Sequence, residues 1–398
     1  MNQNGKKYRI LCCSTALTFG GEQKQLLQIL QHLDRQHFEI ILCSIRPFGY
    51  LDEAIQKSGI PLLCLKIPNP YDPRAIWSLR RVIKQHDIDL LHMGIFGANF
   101  HGILAAMSIG KPIVAILQSM FELSARASAS ESASIAWRLK WHILYAGYGV
   151  LSRIAKIHFV ALSEAVKKSA IKELHLPAKH ISVVPLGLTP EEYEKRKFTE
   201  ILPKIKTELQ LEQAYPILLN VARLTLVKGQ SELLQAMSRI RKHFPNSRLL
   251  IAGDGLLLPE LEKLRNQLDL RTEVLLLGRR DDIQALLHMS NLFVFSSYYE
   301  GLPGAVIEAM AAGKCVVAFD IPALREIIKD GHSGILVKGR NFDQFAEVII
   351  WLAEHPKIAQ EMGEKAQQIV RMKFDIRQNV KSLEAVYKKM LNGFPITL

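Results

Sequence analysis

The chain has 398 residues, of which 48% are hydrophobic and 22% are charged, so it is long enough for two folded domains and has the composition of a globular protein. No uncharged apolar run reaches the roughly 18 residues of a membrane span, which argues against a transmembrane helix. Residues 1–190 hold 22 Lys and Arg against 12 Asp and Glu, so this half carries most of the net charge of +13. Such a basic surface suits phosphates, nucleic acid or anionic lipid, or serves solubility alone.

The beginning of the chain is slightly similar to a secretory signal, because basic residues precede an apolar run from Ile10 to Gly21. This run is short, is interrupted by Ser and Thr, and ends in Gly-Gly-Glu instead of a small-residue cleavage site. A first strand with its loop is the better interpretation, and the cytoplasm is the expected compartment.

Apolar runs typical of strands alternate with helical patterns of period near 3.6, as at 22–34, 73–86, 229–243 and 342–354. Continuous apolar strands between helices predict a parallel sheet covered on both faces. Thirteen strands exceed one sheet, so we predict an α/β protein of two doubly wound, Rossmann-like domains, which meet within 186–200. The predicted strands lie near 8–13, 38–45, 61–66, 88–92, 112–117, 157–161 and 181–184, then 216–221, 247–252, 272–277, 292–295, 315–318 and 334–337.

Metal and redox-cofactor chemistry find little support in the sequence. No His, Cys, Asp or Glu cluster has zinc-like spacing, and no G-x-G-x-x-G follows the first strand, which argues against a dehydrogenase. Asp87-Ile88-Asp89 could hold a divalent metal, but it precedes a strand and is predicted to be a solvated turn. The cysteines are predicted to be reduced core residues, with a metal or catalytic role as the lesser alternative. They are Cys12, Cys13, Cys43, Cys64 and Cys315.

Candidate binding residues follow several predicted strands, at the sheet edge where doubly wound folds bind ligands. After the first strand, Gly20-Gly21-Glu22 could let backbone approach a phosphate, or could form a simple turn. After the strand at 216–221, Arg223 and Lys228 could together neutralise a diphosphate, or could lie in a solvated loop. Gly253-Asp254-Gly255 and Gly278-Arg279 form strand-end turns that could line a nucleotide base.

The most informative stretch runs from Glu300 to Glu308, after the apolar strand Leu292 to Phe295. Pro303 suits a first helical position, and the helix from Ala305 to Ala312 is predicted to end at Gly313. Two carboxylates then flank the free amides of a helix start, which suits a sugar nucleotide with hydroxyls at both ends and phosphate between them. The alternative is a strand–loop–helix unit with two solvated glutamates.

Taken together, these motifs resemble the retaining glycosyltransferases of the GT-B fold, family four, over nearly the whole chain. The strongest match is the segment Glu300 to Gly313, with its two glutamates separated by seven residues. The other matches are Gly20 to Glu22, Arg223 with Lys228, Gly253 to Gly255, Leu277-Gly278, and Ile321 to Gly334.

The resemblance implies a GT-B architecture in which two domains face a cleft. Residues 1–190 would bind the acceptor, residues 191–374 the nucleotide sugar, and a last helix at about 375–398 would pack back onto the first domain. Glu300, Arg223 and Lys228 would be catalytic, and no metal or other cofactor is expected. The implied donor-binding residues are Gly21, Gly253, Gly278, Gly301, Leu302 and Glu308.

The acceptor side departs from the family pattern. His92 and Asn99 follow the pattern, but many relatives have histidine where this chain has Gly94 and Gln118. Gln118 could orient the transferred sugar without titrating, or could cap a strand end away from the substrate. Acceptor identity therefore stays open at this point.

The implied function is transfer of a sugar from a nucleotide diphosphate sugar, with UDP as the expected nucleotide, to a lipid-linked or surface-glycan acceptor with retention. The alternatives are a UDP-sugar epimerase on the same fold and a non-catalytic nucleotide-sugar or glycan-binding partner. An anionic membrane surface is a further candidate partner, through Trp137 to Tyr145, whose alternative is a partly buried helix. Nucleic acid is not an expected partner.

Overall fold

The computed structural model describes residues 5–14, 21–46, 58–69, 72–94, 96–120 and 147–393, with the side chains of 21–24 and 96–100 excepted. The chain divides into two units. The first unit is Met1–Leu188 together with Ile376–Leu398, and the second is Thr189–Asp375. Within the described ranges, no helix is long and apolar enough to span a bilayer. The segment Trp137 to Tyr145 lies outside the described residues.

In the described part of the first unit, seven parallel strands form one sheet in the order β3-β2-β1-β4-β5-β6-β7. Each coincides with a predicted apolar run. The strands are β1 (Tyr8–Ser14), β2 (Phe38–Ser44), β3 (Leu62–Cys64), β4 (Leu90–Met93), β5 (Ile113–Leu117), β6 (Ile157–Ala161) and β7 (Ile181–Val183). Helices lie at Gly21–His32, Arg74–Gln85, Phe96–Met107, 147–154, Glu164–Leu174 and Ile376–Leu391, with a 3-10 helix at Ala178–His180.

The C-terminal helix Ile376–Leu391 packs into the core of the first unit. Its Tyr387 ring is fully buried, in an edge contact 5.8 Å from the Phe38 ring. The Asn379 side chain donates a hydrogen bond to the Leu186 carbonyl at 3.0 Å. A Cβ on Gly187 would lie 2.6 Å from the Ile376 Cα, so only glycine allows the chain to pass this close to the helix.

In the second unit, every residue of which is described, six parallel strands form a sheet in the order β10-β9-β8-β11-β12-β13. The strands are β8 (Ile217–Val221), β9 (Arg248–Ala252), β10 (Val274–Gly278), β11 (Leu292–Phe295), β12 (Cys315–Phe319) and β13 (Ile335–Val337). The α-helices are Leu202–Glu208, Gln230–His243, Leu258–Gln267, Ile283–Met289, Gly304–Ala311, Pro322–Arg325, Phe342–Glu354 and Pro356–Lys373. The 3-10 helices are Pro190–Tyr193, Lys195–Phe198, Leu226–Lys228 and Lys338–Arg340.

Both sheets are doubly wound, as predicted. The strand order reverses between β1 and β4 in the first unit and between β8 and β11 in the second. Loops that leave the carboxyl ends of two such strands diverge to opposite faces and leave a crevice between them. These two reversals therefore determine where each unit can place a ligand-binding site.

Local sequence explains several helix ends. The Asn341 side chain accepts hydrogen bonds from the Asp343 and Gln344 amides, at 2.9 and 3.1 Å, and so caps the helix Phe342–Glu354. Gly313 has a φ of +71° and follows the helix Gly304–Ala311, as predicted. Pro303 was expected at the first helical position, but its ψ of 102° is extended, so it lies one residue before the helix.

The cysteines and the Asp87-Ile88-Asp89 turn mostly match their predictions. The five cysteines are free, and four are buried, but Cys64 is only partly buried because it ends the short strand β3 at the sheet edge. The Asp87 side chain is 87% exposed, 3.7 Å from the Arg9 guanidinium, and Asp89 accepts a hydrogen bond from the Arg9 amide at 2.9 Å. In the described part of the chain, no three His, Cys, Asp or Glu side chains gather as a metal-ligand set.

Candidate active site

The reversal of strand order between β8 and β11 brings two oppositely charged residues of the second unit together. These strands are parallel neighbours, so the loops that follow them leave the same edge of the sheet. Lys228 follows β8 and Glu300 follows β11, and the Lys228 Nζ donates a hydrogen bond to the Glu300 Oε1. The two side chains are 17% and 13% exposed, so the ion pair is largely shielded from solvent.

The loop after β8 is fixed to the loop after β11 by further contacts. The Lys228 carbonyl accepts a hydrogen bond from the Ser296 hydroxyl at 2.8 Å, and the Val227 carbonyl accepts one from the Tyr298 amide at 2.9 Å. The Lys228 Nζ also lies 5.8 Å from the centroid of the Phe295 ring, within cation–π range. The position of the ammonium group is therefore set by the fold as well as by Glu300.

Arg223 is the second cation after β8, and its surroundings differ. Its carbonyl accepts a hydrogen bond from the Gln230 side chain at 3.0 Å, which fixes the backbone. Its side chain is exposed to solvent, where the guanidinium can form two hydrogen bonds to a phosphate. The structure thus places both predicted cations after one strand, with Lys228 paired and Arg223 open to solvent.

The predicted glycines of the middle motifs serve contacts between loops. Gly253 has a φ of +150°, and a Cβ there would lie 1.9 Å from the Ala222 carbonyl oxygen. The Leu224 amide donates to the Asp254 carbonyl at 2.9 Å, which extends the pairing of β8 and β9 beyond both strands. Gly278 accepts a hydrogen bond from the Gly253 amide at 2.8 Å. Glycine at 253 is therefore required by the approach of the loop that carries Arg223.

The segment after Glu300 enters the helix Gly304–Ala311 through a buried loop. Gly301, Leu302 and Pro303 are all buried. The Pro303 carbonyl accepts hydrogen bonds from the Val306 and Ile307 amides at 3.1 and 3.3 Å, which closes the first turn of the helix. The amides of Gly304 and Ala305 lie ahead of this first hydrogen-bonded turn. Such amides, with the positive end of the helix dipole, are able to bind an anion.

Glu308 lies one turn into this helix and has a neighbour that the sequence did not reveal. Tyr193 is 1% exposed, and it ends the 3-10 helix Pro190–Tyr193, which packs against the helix Gly304–Ala311 that carries Glu308. Burial raises the pKa of Tyr193 well above its ordinary value, and the carboxylates of Glu308 and Glu192 raise it further. The phenol therefore stays protonated at neutral pH.

The first unit has an apolar cavity where the second has charged groups. The cavity has a volume of about 60 Å³ and lies at the carboxyl ends of β1, β4 and β5. It is lined by Gln118, His92 and Gly94, and by the C-terminal helix through Ile376 and Leu383. The structure therefore brings two of the predicted acceptor-side residues, Gln118 and His92, to one cavity.

His92 is buried and already engaged with the C-terminal helix. Its Nδ1 lies 2.6 Å from the Tyr387 hydroxyl, and the residue is 5% exposed. Burial lowers the pKa of His92 to about 4, so the ring is neutral at neutral pH. Any role of His92 toward an acceptor must use the neutral ring, with one nitrogen bound to Tyr387.

Two predicted residues lie where the structure describes the backbone and not the side chains. Gly21 is the first residue of the helix Gly21–His32, after β1, and Asn99 lies in the first half of the helix Phe96–Met107, after β4. Both elements follow the strands where the order of the first sheet reverses. Their roles toward donor and acceptor stay predictions.

Two family models match successive parts of this chain. Residues 19–192 match the model "Glycosyltransferase Family 4", and residues 203–369 match "Glycosyl transferases group 1". The chain belongs to glycosyltransferase family four. The resemblance drawn from the motifs is thereby confirmed, and the chain is a glycosyltransferase by family.

Curated relatives of this family-four glycosyltransferase include one that matches it from end to end. The UDP-Gal:alpha-D-GlcNAc-diphosphoundecaprenol alpha-1,3-galactosyltransferase of Escherichia coli is 25% identical over 400 residues, which cover 98% of this chain and 99% of the relative. The N-acetyl-alpha-D-glucosaminyl L-malate synthase of Bacillus anthracis is 28% identical over 230 residues, which cover 57% of this chain and 59% of the relative.

Solved structures confirm the predicted GT-B fold of this family-four glycosyltransferase. Anabaena HepE, crystallised with UDP-glucose, has a TM-score of 0.80 at 20% identity and covers 96% of this chain and 99% of its own. WaaG, a glycosyltransferase involved in lipopolysaccharide biosynthesis, has a TM-score of 0.74 at 15% identity and covers 95% of this chain and 99% of its own. Identities this low establish the fold alone.

Tyr193 is the residue of the candidate site that sequence reasoning missed. It lies within the charged run Glu191 to Lys197, which the sequence analysis used only as a domain boundary. An aromatic residue within a run of charged residues was the sequence signal that this side chain is buried. Its nearness to Glu308 could not be read from sequence, because Glu308 follows it by more than a hundred residues.

Proposed function

We propose that this family-four glycosyltransferase transfers a sugar from a UDP-sugar to a lipid-linked glycan acceptor, with retention of anomeric configuration. The observation that carries the donor assignment is the shielded Lys228–Glu300 pair beside the start of the helix Gly304–Ala311. An ammonium group, the exposed guanidinium of Arg223 and a helix N-terminus together suit a diphosphate. Carboxylates on both sides of them suit the hydroxyls of a sugar and of a ribose.

The residues have separate roles in this proposal. Lys228 and Arg223 stabilise the charge that develops on the departing diphosphate. Glu300, paired with Lys228, accepts hydrogen bonds from hydroxyls of the transferred sugar, and Glu308 accepts them from the ribose. The leaving phosphate takes the proton of the acceptor hydroxyl on the face from which it departs. Retention then follows without a protein base.

The same proposal assigns the charge stabilisation to side chains instead of a metal ion. Two cations after β8 can offset the negative charge of a diphosphate, as a divalent metal ion does in other enzymes. Transfer is therefore expected to continue in EDTA at its original rate. Loss of turnover in EDTA that returns with Mn²⁺ or Mg²⁺ would show that the reaction needs a metal.

The nucleotide and the acceptor class rest on the relatives. The Escherichia coli relative is named for a UDP-sugar donor and a diphosphoundecaprenol acceptor, and it matches this chain over its full length. The HepE structures contain UDP or UDP-glucose. These names support uridine and a lipid-linked acceptor as the first choices for assay.

The donor assignment is tested by calorimetry with UDP and by transfer rates. Glu308→Ala is expected to weaken UDP binding by about tenfold, since the ribose hydroxyls lose their charged acceptor. Glu300→Ala is expected chiefly to slow transfer. Glu347→Ala, on the exposed face of the helix Phe342–Glu354, is the control and should match the parent. Unchanged kinetics and binding in both active-site variants would remove the donor assignment.

The reaction type is tested by mass spectrometry of the products from a panel of nucleotide sugars, with and without membrane lipid. A glycosylated lipid that forms only when donor and lipid are both present is the expected product. An epimerised donor formed without lipid would identify an epimerase instead. Nucleotide-sugar binding without any product would identify a non-catalytic partner of another transferase.

We further propose that the first unit docks on an anionic membrane through the helix Arg74–Gln85. Trp77 on this helix is 70% exposed, and the Arg80 guanidinium carbon lies 5.9 Å from the centroid of its ring. Arg81 and Lys84 are exposed on the same helix. An exposed indole beside basic side chains suits the headgroup layer of an anionic bilayer, which is where a lipid-linked acceptor would lie.

Vesicle sedimentation tests this surface. The protein should pellet with phosphatidylglycerol-containing vesicles at low salt, remain in solution with phosphatidylcholine vesicles, and be released at high salt. Trp77→Ser combined with Arg81→Glu should abolish pelleting. Trp351→Ser, which removes a tryptophan of the second unit that is 40% exposed, is the matched control. Equal pelleting with both kinds of vesicle would contradict the proposal.

A further inference from the structure

Tyr298 joins the two loops that carry Lys228 and Glu300. It lies two residues before Glu300 in the loop after β11, and its amide donates a hydrogen bond to the Val227 carbonyl at 2.9 Å. Its hydroxyl donates a hydrogen bond to the Glu232 Oε1, on the helix that begins two residues after Lys228. Tyr298 therefore binds the chain on both sides of Lys228, through its backbone on one side and its side chain on the other.

The Tyr298 hydroxyl is the donor in its hydrogen bond with Glu232. Burial raises the pKa of Tyr298 above its ordinary value, and the hydrogen bond to Glu232 and the charge of this carboxylate raise it further. The phenol therefore stays protonated at neutral pH. Among the residues that the structure describes, the other carboxylate oxygen, the Glu232 Oε2, is buried and has no hydrogen-bond partner. The phenol is thus the group that orients the Glu232 side chain.

Two neighbours hold the Tyr298 ring in place. It stacks on the Phe319 ring, with 6.5 Å between the centroids and an interplanar angle of 16°. The Arg340 guanidinium carbon lies 4.2 Å from the centroid of the Tyr298 ring, in a cation–π contact. Phe319 ends β12 and Arg340 lies in the 3-10 helix after β13, so the ring is connected to the two strands that follow β11 in the sheet. The hydroxyl is therefore presented to Glu232 by a fixed ring.

Gly229 allows the chain beside Lys228 to approach Tyr298 closely. Gly229 has a φ of +62°, in the left-handed region that favours glycine. A Cβ there would lie 2.3 Å from the Ser296 carbonyl oxygen and 3.2 Å from the Tyr298 Cε1. The two loops thus pass within contact distance of each other at the residue that follows Lys228. A movement of the Tyr298 ring is therefore expected to displace the backbone of Lys228.

We propose that Tyr298 is a positioning residue, which holds the Lys228 ammonium where it can bind the diphosphate of the donor. This inference rests on the proposed role of Lys228 in donor binding. The lysine side chain is restrained at its tip by Glu300, and along the backbone by the hydrogen bonds of Tyr298 on either side. A cation that is oriented before the ligand arrives binds a phosphate more strongly, because less freedom is lost on binding. Tyr298 itself does not contact the nucleotide in this arrangement.

Calorimetry with UDP and with uridine tests this role, since uridine lacks the diphosphate. Tyr298→Phe should weaken UDP binding by about three- to tenfold, because the ring stays and one hydrogen bond is lost. The affinity for uridine should stay unchanged. In a Lys228→Ala background, Tyr298→Phe should cause no further loss of UDP affinity, because the ammonium group that Tyr298 positions is absent.

Further variants serve as controls for the acceptor and for the hydroxyl. Glu232→Gln still offers an oxygen to the phenol and should bind UDP within about twofold of the parent, whereas Glu232→Ala should match Tyr298→Phe. Tyr215→Phe, which removes a hydroxyl bound to the Ala353 carbonyl at 2.6 Å in the same unit, is the matched control and should leave UDP affinity unchanged. Circular dichroism should show an intact fold for each variant.

The outcomes separate this inference from the proposed function. If Lys228→Ala weakens UDP binding and Tyr298→Phe does not, the positioning role is overturned and the donor assignment stands. If Tyr298→Phe weakens UDP and uridine equally, or still weakens UDP in the Lys228→Ala background, the residue has a general structural role and the inference is overturned. If Lys228→Ala leaves UDP binding unchanged, the inference fails, and the donor assignment fails with it only if Glu308→Ala also has no effect.

Discussion

The two units share a doubly wound topology, but the residues beyond the carboxyl ends of their strands are charged in the second unit and mostly apolar in the first. In the second unit, the reversal between β8 and β11 is followed by an ammonium–carboxylate pair that the fold holds from several sides. In the first unit, the reversal between β1 and β4 is followed by an apolar cavity that includes a neutral, buried histidine. The strand order fixes where a ligand can bind, while the residues just beyond the strands decide which ligand chemistry the place accepts.

This difference matches a division of labour between donor and acceptor. In the proposed function, Lys228, Arg223 and the start of the helix Gly304–Ala311 in the second unit bind the nucleotide diphosphate. The described residues that line the cavity of the first unit include no Lys, Arg, Asp or Glu, and the C-terminal helix helps to close this cavity. The comparison predicts that substitutions in the second unit change donor chemistry, whereas those in the first change stability or acceptor use.

The largest expected effect is that of Lys228→Ala in the second unit. This change removes the partner of Glu300 and one of the two cations proposed for the departing diphosphate. We expect kcat to fall by about 10²–10³, the range found when one preorganised group for a developing charge is removed. Single-turnover rates of transfer measure this loss. Circular dichroism should show an intact fold.

The matched control for this prediction is Lys242→Ala. Lys242 is exposed on the helix Gln230–His243, in the same unit, and should leave the rate unchanged. Lys228→Arg should recover part of the rate, since it restores the positive charge with a different shape. A rate for Lys228→Ala within about twofold of the parent would break the assignment of the second unit to the donor.

The next largest effect concerns the neutral His92 of the first unit. Its pKa is about 4 in the folded protein and about 6.5 in an unfolded chain. Between these values the unfolded chain binds a proton that the folded protein does not, so stability is full above pH 6.5 and falls as the pH drops toward 4. The loss at the lower end is on the order of 3 kcal/mol.

Urea unfolding of the parent and of His92→Gln between pH 8 and 4 measures this contribution. Glutamine can still hydrogen-bond the Tyr387 hydroxyl but cannot titrate, so the variant should lose less stability on acidification. His243→Gln, at an exposed position, should retain the pH dependence of the parent. Parallel curves for the parent and His92→Gln would show that the cavity tolerates a charged histidine.

The fold could be predicted from sequence because its signals are local and repeated. Runs such as Leu292 to Phe295 are apolar throughout, as strands buried on both faces must be, and each is followed by a helical period. The thirteen strands were therefore predictable, although several bounds differ by a residue or two. Pro303 shows the limit, because its φ suits both the first helical position and the position before it.

The contacts of the site could not be predicted, because they depend on strand order and on distant packing. The Lys228–Glu300 pair joins residues 72 positions apart, and it forms because β8 and β11 are neighbours. His92 was a candidate acceptor residue on its strand-end position alone. Its contact with Tyr387, 295 residues away, depends on the return of the C-terminal helix to the first unit.

The smallest expected effect is that of Gln118, which tests whether the cavity of the first unit belongs to the acceptor site. Gln118 directly follows β5, is half-buried and lines the cavity with His92. Gln118→Ala should lower transfer by about tenfold, the value of one or two lost hydrogen bonds, and leave UDP affinity unchanged. Gln36→Ala, at an exposed turn of the same unit, is the control.

Gln118→His should be tolerated, and because the cavity is apolar, any new pH dependence should appear at or below pH 6.5. Parental transfer rates for Gln118→Ala with a lipid-linked acceptor would mean that the residue only caps the end of β5.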